Sequence, residues 1–403
     1  MDPPKKHMQI VSDHSAQTDL GDESLAASEF VSLNSRDVEI AEIGQRIVLR
    51  NRNSGAVVLS NSLGAQIMHG IKNGCDLRHL ERDLSIDFDE LRDARTFIRE
   101  TLGNWKRAGL FDDAVRSSPT SKLKYAQSRY RAIFKLGTRR YQLSSESERV
   151  FRDVSSLMAN YLARDTEQNP EDKLTVSLSV DGHTVQHNNQ SVWRPCSPDE
   201  ARFLVIQKAL SLLAGPENVS AVLHAAAVVR NDQALILAGP SGKGKTTLAL
   251  LLAENGWTFA GDDMIALHND GTKIFSLPFA ARLKDNHPES ISSMKVSFRK
   301  DLSGTYAWPN SAATAGELFR VSAVVFPTFS ANANFVEERV EPEVALQRLL
   351  TSGTEIAAPN GSVKSLTTLL NSNPTRNWTY GNGTEALMAA QTVFSKNWFG
   401  AKS

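Results

Sequence analysis

Ala234-Leu-Ile-Leu-Ala238-Gly239-Pro-Ser-Gly-Lys-Gly244-Lys245-Thr246-Thr247 is the stretch that decides how this chain of 403 residues is read. Its first five residues are an unbroken apolar run, the length of a short buried strand. Glycines at 239, 242 and 244 then interrupt regular structure, and Leu248 to Glu254 reads as a helix. Strand, glycine-rich loop and helix, in that order, are the context that the pattern G-x-x-x-x-G-K-[ST] requires. Such glycines let successive backbone N–H groups turn toward one phosphate, and the following helix points its positive end at the same place. Gly239, Pro240, Ser241, Gly242, Lys243, Gly244, Lys245, Thr246 and Thr247 are therefore expected to hold a nucleotide. Lys245 would reach the β- and γ-phosphates as a point charge, and the Thr246 hydroxyl would ligate Mg2+. ATP and Mg2+ are the expected cofactors.

A loop of this kind does not separate ATPases, GTPases and kinases; the second carboxylate does. The apolar run Val321 to Phe326 ends in Pro327 instead of an acid. The acids come earlier, in Trp257-Thr-Phe-Ala-Gly261-Asp262-Asp263-Met-Ile-Ala-Leu267, one helix and one strand after Lys245. Neither the Leu-Ser-Gly-Gly signature of transporter ATPases nor the Asn-Lys-x-Asp guanine reader is found. His224 closes the run Val219-Ser-Ala-Val-Leu223. Two adjacent aspartates at a strand end can turn one carboxylate to a metal and the other to an incoming nucleophile. Asp262 is expected as the general base, oriented by His224, and Asp263 as the Mg2+ partner, with the reverse order open. The structural alternatives are a turn or cap role for the pair and a satisfied core histidine for His224.

These residues together resemble the HPr serine kinase/phosphatase family, and more closely its HPr-kinase-related branch. The similarity runs on through Leu277-Pro278, Arg282-Leu-Lys284, Val324-Val-Phe-Pro327 and a closing helix from Thr384 to Phe394. It implies an α/β fold with a P-loop kinase core of the HPr kinase/PEP carboxykinase type over residues 125–403, the nucleotide core lying at about 216–403. It also implies a homo-oligomer and makes Arg282 and Lys284 candidates for holding the transferred phosphate. The family's glycine-rich segment for engaging HPr has no counterpart, and Tyr306-Ala-Trp308-Pro309 stands in comparable territory. The expected acceptor is accordingly a hydroxyl of some other peptide or protein.

Ahead of this region, residues 1–33 are polar, with six acids against two lysines, which reads as a disordered acidic tail. Gln45 to Arg50 and Ala56 to Leu59 read as a hairpin about Asn51-Arg-Asn-Ser-Gly55, followed by a helix capped by Asn61 and two more helices ending near Trp105. Hairpin plus three helices suggests a winged-helix-like module over 34–115, with a linker at 116–124. Val48-Leu-Arg-Asn51, Gly55-Ala-Val-Val-Leu59, Ala65-Gln-Ile-Met68, Lys72-Asn-Gly74-Cys-Asp-Leu77 and Trp105-Lys-Arg-Ala-Gly109-Leu110 resemble PqqD-like peptide chaperones. Met68 stands where that family carries a tryptophan. The resemblance implies recognition of a precursor peptide by an exposed sheet edge. DNA binding is disfavoured, because Leu77 to Ser85 mixes Arg78 and Arg82 with Glu81 and Asp83.

Composition agrees. The 45 basic residues cancel 45 acidic ones, so no bulk attraction to nucleic acid or anionic membrane is expected. A basic strip, Lys122 to Arg140, reads as an exposed linker or strand edge, with a phosphate- or peptide-facing role as the alternative. Cys75 and Cys196 form no CxxC pair, and no signal peptide or membrane span is read, so a cytoplasmic location is expected. The function expected is an ATP- and Mg-dependent kinase acting on a peptide or protein hydroxyl in ribosomal peptide biosynthesis. The alternatives are a nucleotide-gated peptide carrier and a small-molecule kinase.

Overall fold

The computed structural model describes residues 11–12, 35–85, 91–112, 128–163, 170–191, 195–283, 296–301, 304–356 and 361–393. It is a mixed α/β structure with several sheets, and its described residues fall into two compact units, one within residues 6–118 and one within 119–403. The linker expected at 116–124 lies outside the described residues, as do Lys122, Lys124 and Lys284.

The front unit is built on three antiparallel strands, Val38–Ile43, Arg46–Asn51 and Val57–Ser60. The last two form the hairpin read from sequence. The first, Val38–Ile43, was not anticipated; it turns into its neighbour through Gly44, whose φ of 53° suits a residue without a Cβ. Three helices follow, Ser62–Lys72, Leu77–Leu84 and Leu91–Arg107. Asn61 caps the first by accepting the Gly64 N–H at 2.9 Å, and Asp76 caps the second through His79. The apolar faces of strands and helices close over Leu49, Val58, Ile67, Met68, Leu84, Ile98 and Trp105, all fully buried. Val11–Ser12, inside the stretch expected to be a disordered tail, pair in parallel with Val58 and Leu59 at the free side of the third strand. The rest of that tail lies outside the described residues.

The second unit begins with a five-stranded sheet. Tyr130–Leu136, its edge strand, pairs antiparallel with Arg139–Ser145, so the described end of the basic strip is a strand edge. Asp172–Ser179 and Gly182–His187 form a hairpin in the same sheet. The helices Glu148–Leu157 and Pro198–Ala214 pack against it; Ser197 and Glu200 close the second with a capping box, and Pro198 starts it.

The centre of this unit is a ten-stranded mixed sheet. Its strand Gln233–Ala238 lies between Ala225–Arg230, antiparallel, and Leu318–Phe329, parallel. Leu235 and Leu237 face the helix Lys245–Glu254, packing with Leu248, Leu252 and Trp378, while Ala234, Ile236 and Ala238 are buried on the opposite face. Burial on both faces is why this strand reads as a continuous apolar run and does not alternate. A small sheet of Ala281–Leu283, Gly304–Pro309 and Val296–Asp301 stands apart from it. Among the described residues no helix is long and apolar enough to cross a membrane.

Candidate functional site

Strand register gathers the sequence-predicted residues at one end of the ten-stranded sheet. Ala225 pairs with Ala238, so His224 and Gly239, the residues just beyond that rung, leave the sheet side by side. Ala227 pairs with Gly261 on the other flank, bringing Asp262 to the same end. Leu223 pairs with Ile265 and closes the circuit from the far side of the aspartates. Three chain segments, at 223–225, 238–239 and 261–265, thus meet where the loop turns.

The loop holds its shape through backbone conformations that only glycine adopts freely. Gly239, Gly242 and Gly244 have φ of 120°, 83° and 98°. A Cβ on Gly244 would come within 2.9 Å of the Tyr380 hydroxyl and 3.4 Å of the Phe329 Cβ. The Phe329 N–H also donates to the Lys243 carbonyl at 3.2 Å, so the ends of two central strands brace the loop from outside. Lys245 is buried, and its ammonium donates to the carbonyls of Gly239 at 2.6 Å and Pro240 at 3.0 Å. Pro240, Gly242 and Lys243 are exposed, and Ser241 and Thr247 half-buried.

Thr246, in the first helical turn, donates its hydroxyl to Asp262 Oδ1 at 3.2 Å. Asp262 is only 3% exposed; burial first, and then the charge of adjacent Asp263, push its pKa up to about 7. Asp263 moves the other way. Burial opposes its charge, but Arg202, His224 and Lys245 outweigh burial and hold it below the ordinary carboxylate value. Two neighbouring carboxylates with diverging proton affinities are the arrangement that lets one act as base while the other stays ionised. His224 lies against Asp263, with Nε2 3.9 Å from Oδ1, whereas it was expected to orient Asp262. Burial lowers its pKa to about 4, so the ring is neutral at physiological pH, and its Nδ1 has no hydrogen-bond partner among the described residues.

Arg282 is ion-paired in this structure. Its Nη2 faces Asp153 Oδ2 at 3.5 Å, and the carboxylate of Asp153 also accepts the Tyr306 hydroxyl. Sequence reasoning missed Asp153 and a second residue, Arg202, whose Nη1 lies 3.3 Å from Asp263 Oδ2 and whose Nε lies 3.5 Å from Asp153 Oδ2. Both had a signal. Arg202 is a lone cation in the apolar run Ala201 to Ile206, and Asp153 lies beside Val150, Val154 and Leu157 on a helix's buried stripe.

The donor set fits a magnesium nucleotide. A hydroxyl and a carboxylate in contact, Thr246 and Asp262, with a second carboxylate next to them, are hard oxygen donors. Mg2+ takes few protein ligands and keeps several waters, and among the described residues no cluster of three or more His, Cys, Asp or Glu forms a dedicated cage.

No family model and no curated protein matches the chain. Among solved structures, the HPr(Ser) kinase/phosphatase from Coxiella burnetii is similar at 10% identity and a TM-score of 0.23, covering 45% of this chain and 99% of that one. A likeness of that size carries no part of the functional reading, which rests on the geometry of the sheet end.

Proposed function

We propose that the second unit is an ATP- and Mg-dependent kinase that transfers the γ-phosphoryl group to a hydroxyl, a serine or threonine of a peptide or protein. The observation that carries this reading is the Thr246–Asp262 contact at 3.2 Å, which sets an acid pair directly beside the glycine-rich loop. Loop N–H groups, the helix end and Lys245 would hold the nucleotide's phosphates. Asp262 takes the acceptor's proton; a bond forms between the acceptor oxygen and the γ-phosphorus, and the bond to the leaving ADP oxygen breaks. A carboxyl pushed to about 7 suits that task better than an ordinary aspartate, since a general base works best near the operating pH. Mg2+, held by Thr246 and Asp263, would supply neutralisation of charge on the phosphates. Lys245 stabilises the charge that develops on transfer.

One observation favours an exchange of the two aspartates. The hydroxyl of Thr246 bonds Asp262, which supports a place for Asp262 on the metal side. The pair of variants Asp262→Asn and Asp263→Asn decides it. With Asp262 as base, Asp262→Asn lowers turnover by about 10²–10⁴-fold while ATP still binds, and Asp263→Asn raises the Mg2+ concentration needed. The reverse pattern exchanges the roles.

The front unit, three strands and three helices with a resemblance to PqqD-like chaperones, is proposed to present a precursor peptide to this site. Removing residues 1–115 tests the guidance: undiminished phosphorylation of the true substrate refutes it. A wild-type protein that binds Mg·ATP but adds phosphate to no peptide, by mass spectrometry against a candidate precursor, sinks the kinase reading in favour of a nucleotide-gated carrier.

A further inference from the structure

The acid pair is held from outside the loop. Asp263 sits at φ 66°, in the left-handed region, where an aspartate is tolerated but not favoured. Its two oxygens face different partners, Oδ2 toward Arg202 Nη1 at 3.3 Å and Oδ1 toward His224 Nε2 at 3.9 Å. Arg202 is itself buried, and its other side faces Asp153 at 3.5 Å. Asp153 is 2% exposed and takes part in three interactions, with Arg202, Arg282 and the Tyr306 hydroxyl. The next residue in the helix, Phe203, stacks on the His224 ring with centroids 5.8 Å apart and planes at 22°. Two consecutive residues of Pro198–Ala214 therefore clamp the two groups that flank the reacting corner.

We propose that Arg202 is a positioning residue of this site: braced by Asp153, its guanidinium fixes the carboxylate of Asp263, and Phe203 beside it fixes the ring of His224. The proposal rests on the phosphotransfer reading for its functional meaning. A guanidinium suits this place because its rigid plane hydrogen-bonds Asp263 through Nη1 while its Nε edge stays in ion-pair range of Asp153, whereas an ammonium is a single point charge on a flexible stem. Fixing the carboxylate in advance spares the site from reorganising as charge moves during transfer, and a misplacement of about 1 Å can cost about a hundredfold in rate.

The test uses the full-length chain with Arg202→Lys, which keeps the charge and loses the fork. Water serves as the acceptor, and hydrolysis of Mg·ATP gives kcat and KM. Nitrogen-15 labelled histidine reports the His224 ring by NMR, and thermal melting reports the fold. At saturating Mg2+ the expected result is a folded variant with KM for Mg·ATP within about threefold of wild type, kcat down about a hundredfold, and shifted His224 ring signals. A kcat within about threefold of wild type, or unmoved His224 signals, overturns the proposal. If Arg202→Lys does not fold, Asp153→Asn is judged by the same two readouts. A wild type that neither binds nor hydrolyses Mg·ATP sinks the kinase reading instead, and the His224 signals then decide the clamp by themselves.

Discussion

Asp262 and His224 occupy one buried corner and titrate in opposite senses. His224 has a folded pKa of about 4 against 6.5 for an ordinary histidine, so between those values the unfolded chain takes a proton that the folded one refuses. Folding therefore loses stability as pH falls through 6.5, by up to ~3 kcal/mol. Asp262 has a folded pKa raised to about 7 from 3.8, so the folded chain keeps a proton that the unfolded one has released. That effect favours folding as pH falls from about 7, by up to ~4 kcal/mol. In the wild type the two offset each other between about pH 6.5 and 4. Removing one exposes the other. In metal-free protein Asp262→Asn should lose stability toward pH 4.5 relative to wild type, and His224→Gln should gain it. Urea denaturation at pH 7, 5.5 and 4.5 measures both, and slopes of the same sign would contradict the assignment.

At the scale of elements, the glycine-rich loop depends on the strands that brace it. Gly244→Ala puts a Cβ at φ 98° and 2.9 Å from the Tyr380 hydroxyl, so both backbone and neighbour resist it. The expected cost is ~1–3 kcal/mol of stability, together with at least a tenfold weaker affinity for Mg·ATP by calorimetry. Adding Tyr380→Phe should return part of the stability, since it removes the clashing oxygen, but little of the affinity. In the front unit Asn61→Ala removes the cap of Ser62–Lys72 and should cost ~1 kcal/mol in denaturant unfolding, with no change in nucleotide affinity. The elements around the loop were largely legible: an apolar run buried on both faces, glycines needing positive φ, and two aspartates at the end of the following strand. The capping residue Asn61 could likewise be placed from local sequence alone. Arg202 and Asp153 could not be assigned roles in this way. The hydrogen bond from Arg202 to Asp263 spans 61 positions and that from Tyr306 to Asp153 spans 153, so their partners are set by how sheets and helices stack. For the same reason the placement of His224 against Asp263 depends on the register of Ala225–Arg230, which no local pattern encodes.

For the whole molecule, two compact units imply two cooperative transitions. Scanning calorimetry should resolve them, and Mg·ATP should raise only the one belonging to residues 119–403, by about 3 kcal/mol at a hundredfold excess over Kd. A single transition that moves as one would show the units to be energetically coupled. The strand Leu318–Phe329 carries a different consequence. It is the parallel neighbour of Gln233–Ala238, with Gln233 opposite Arg320, and its last residue braces the loop at Lys243. During synthesis the loop therefore emerges long before its support. At about 5–20 residues per second, several seconds pass before the ribosome supplies that strand. Until then an apolar ribbon waits with one side unpaired, a natural client for chaperones. A chain released before Leu318 would contain every residue of the glycine-rich loop and still lack the strand that braces it. On the proposed reading, capture of ATP would be a late event in the birth of this protein, and ATP binding by stalled chains of increasing length would date it.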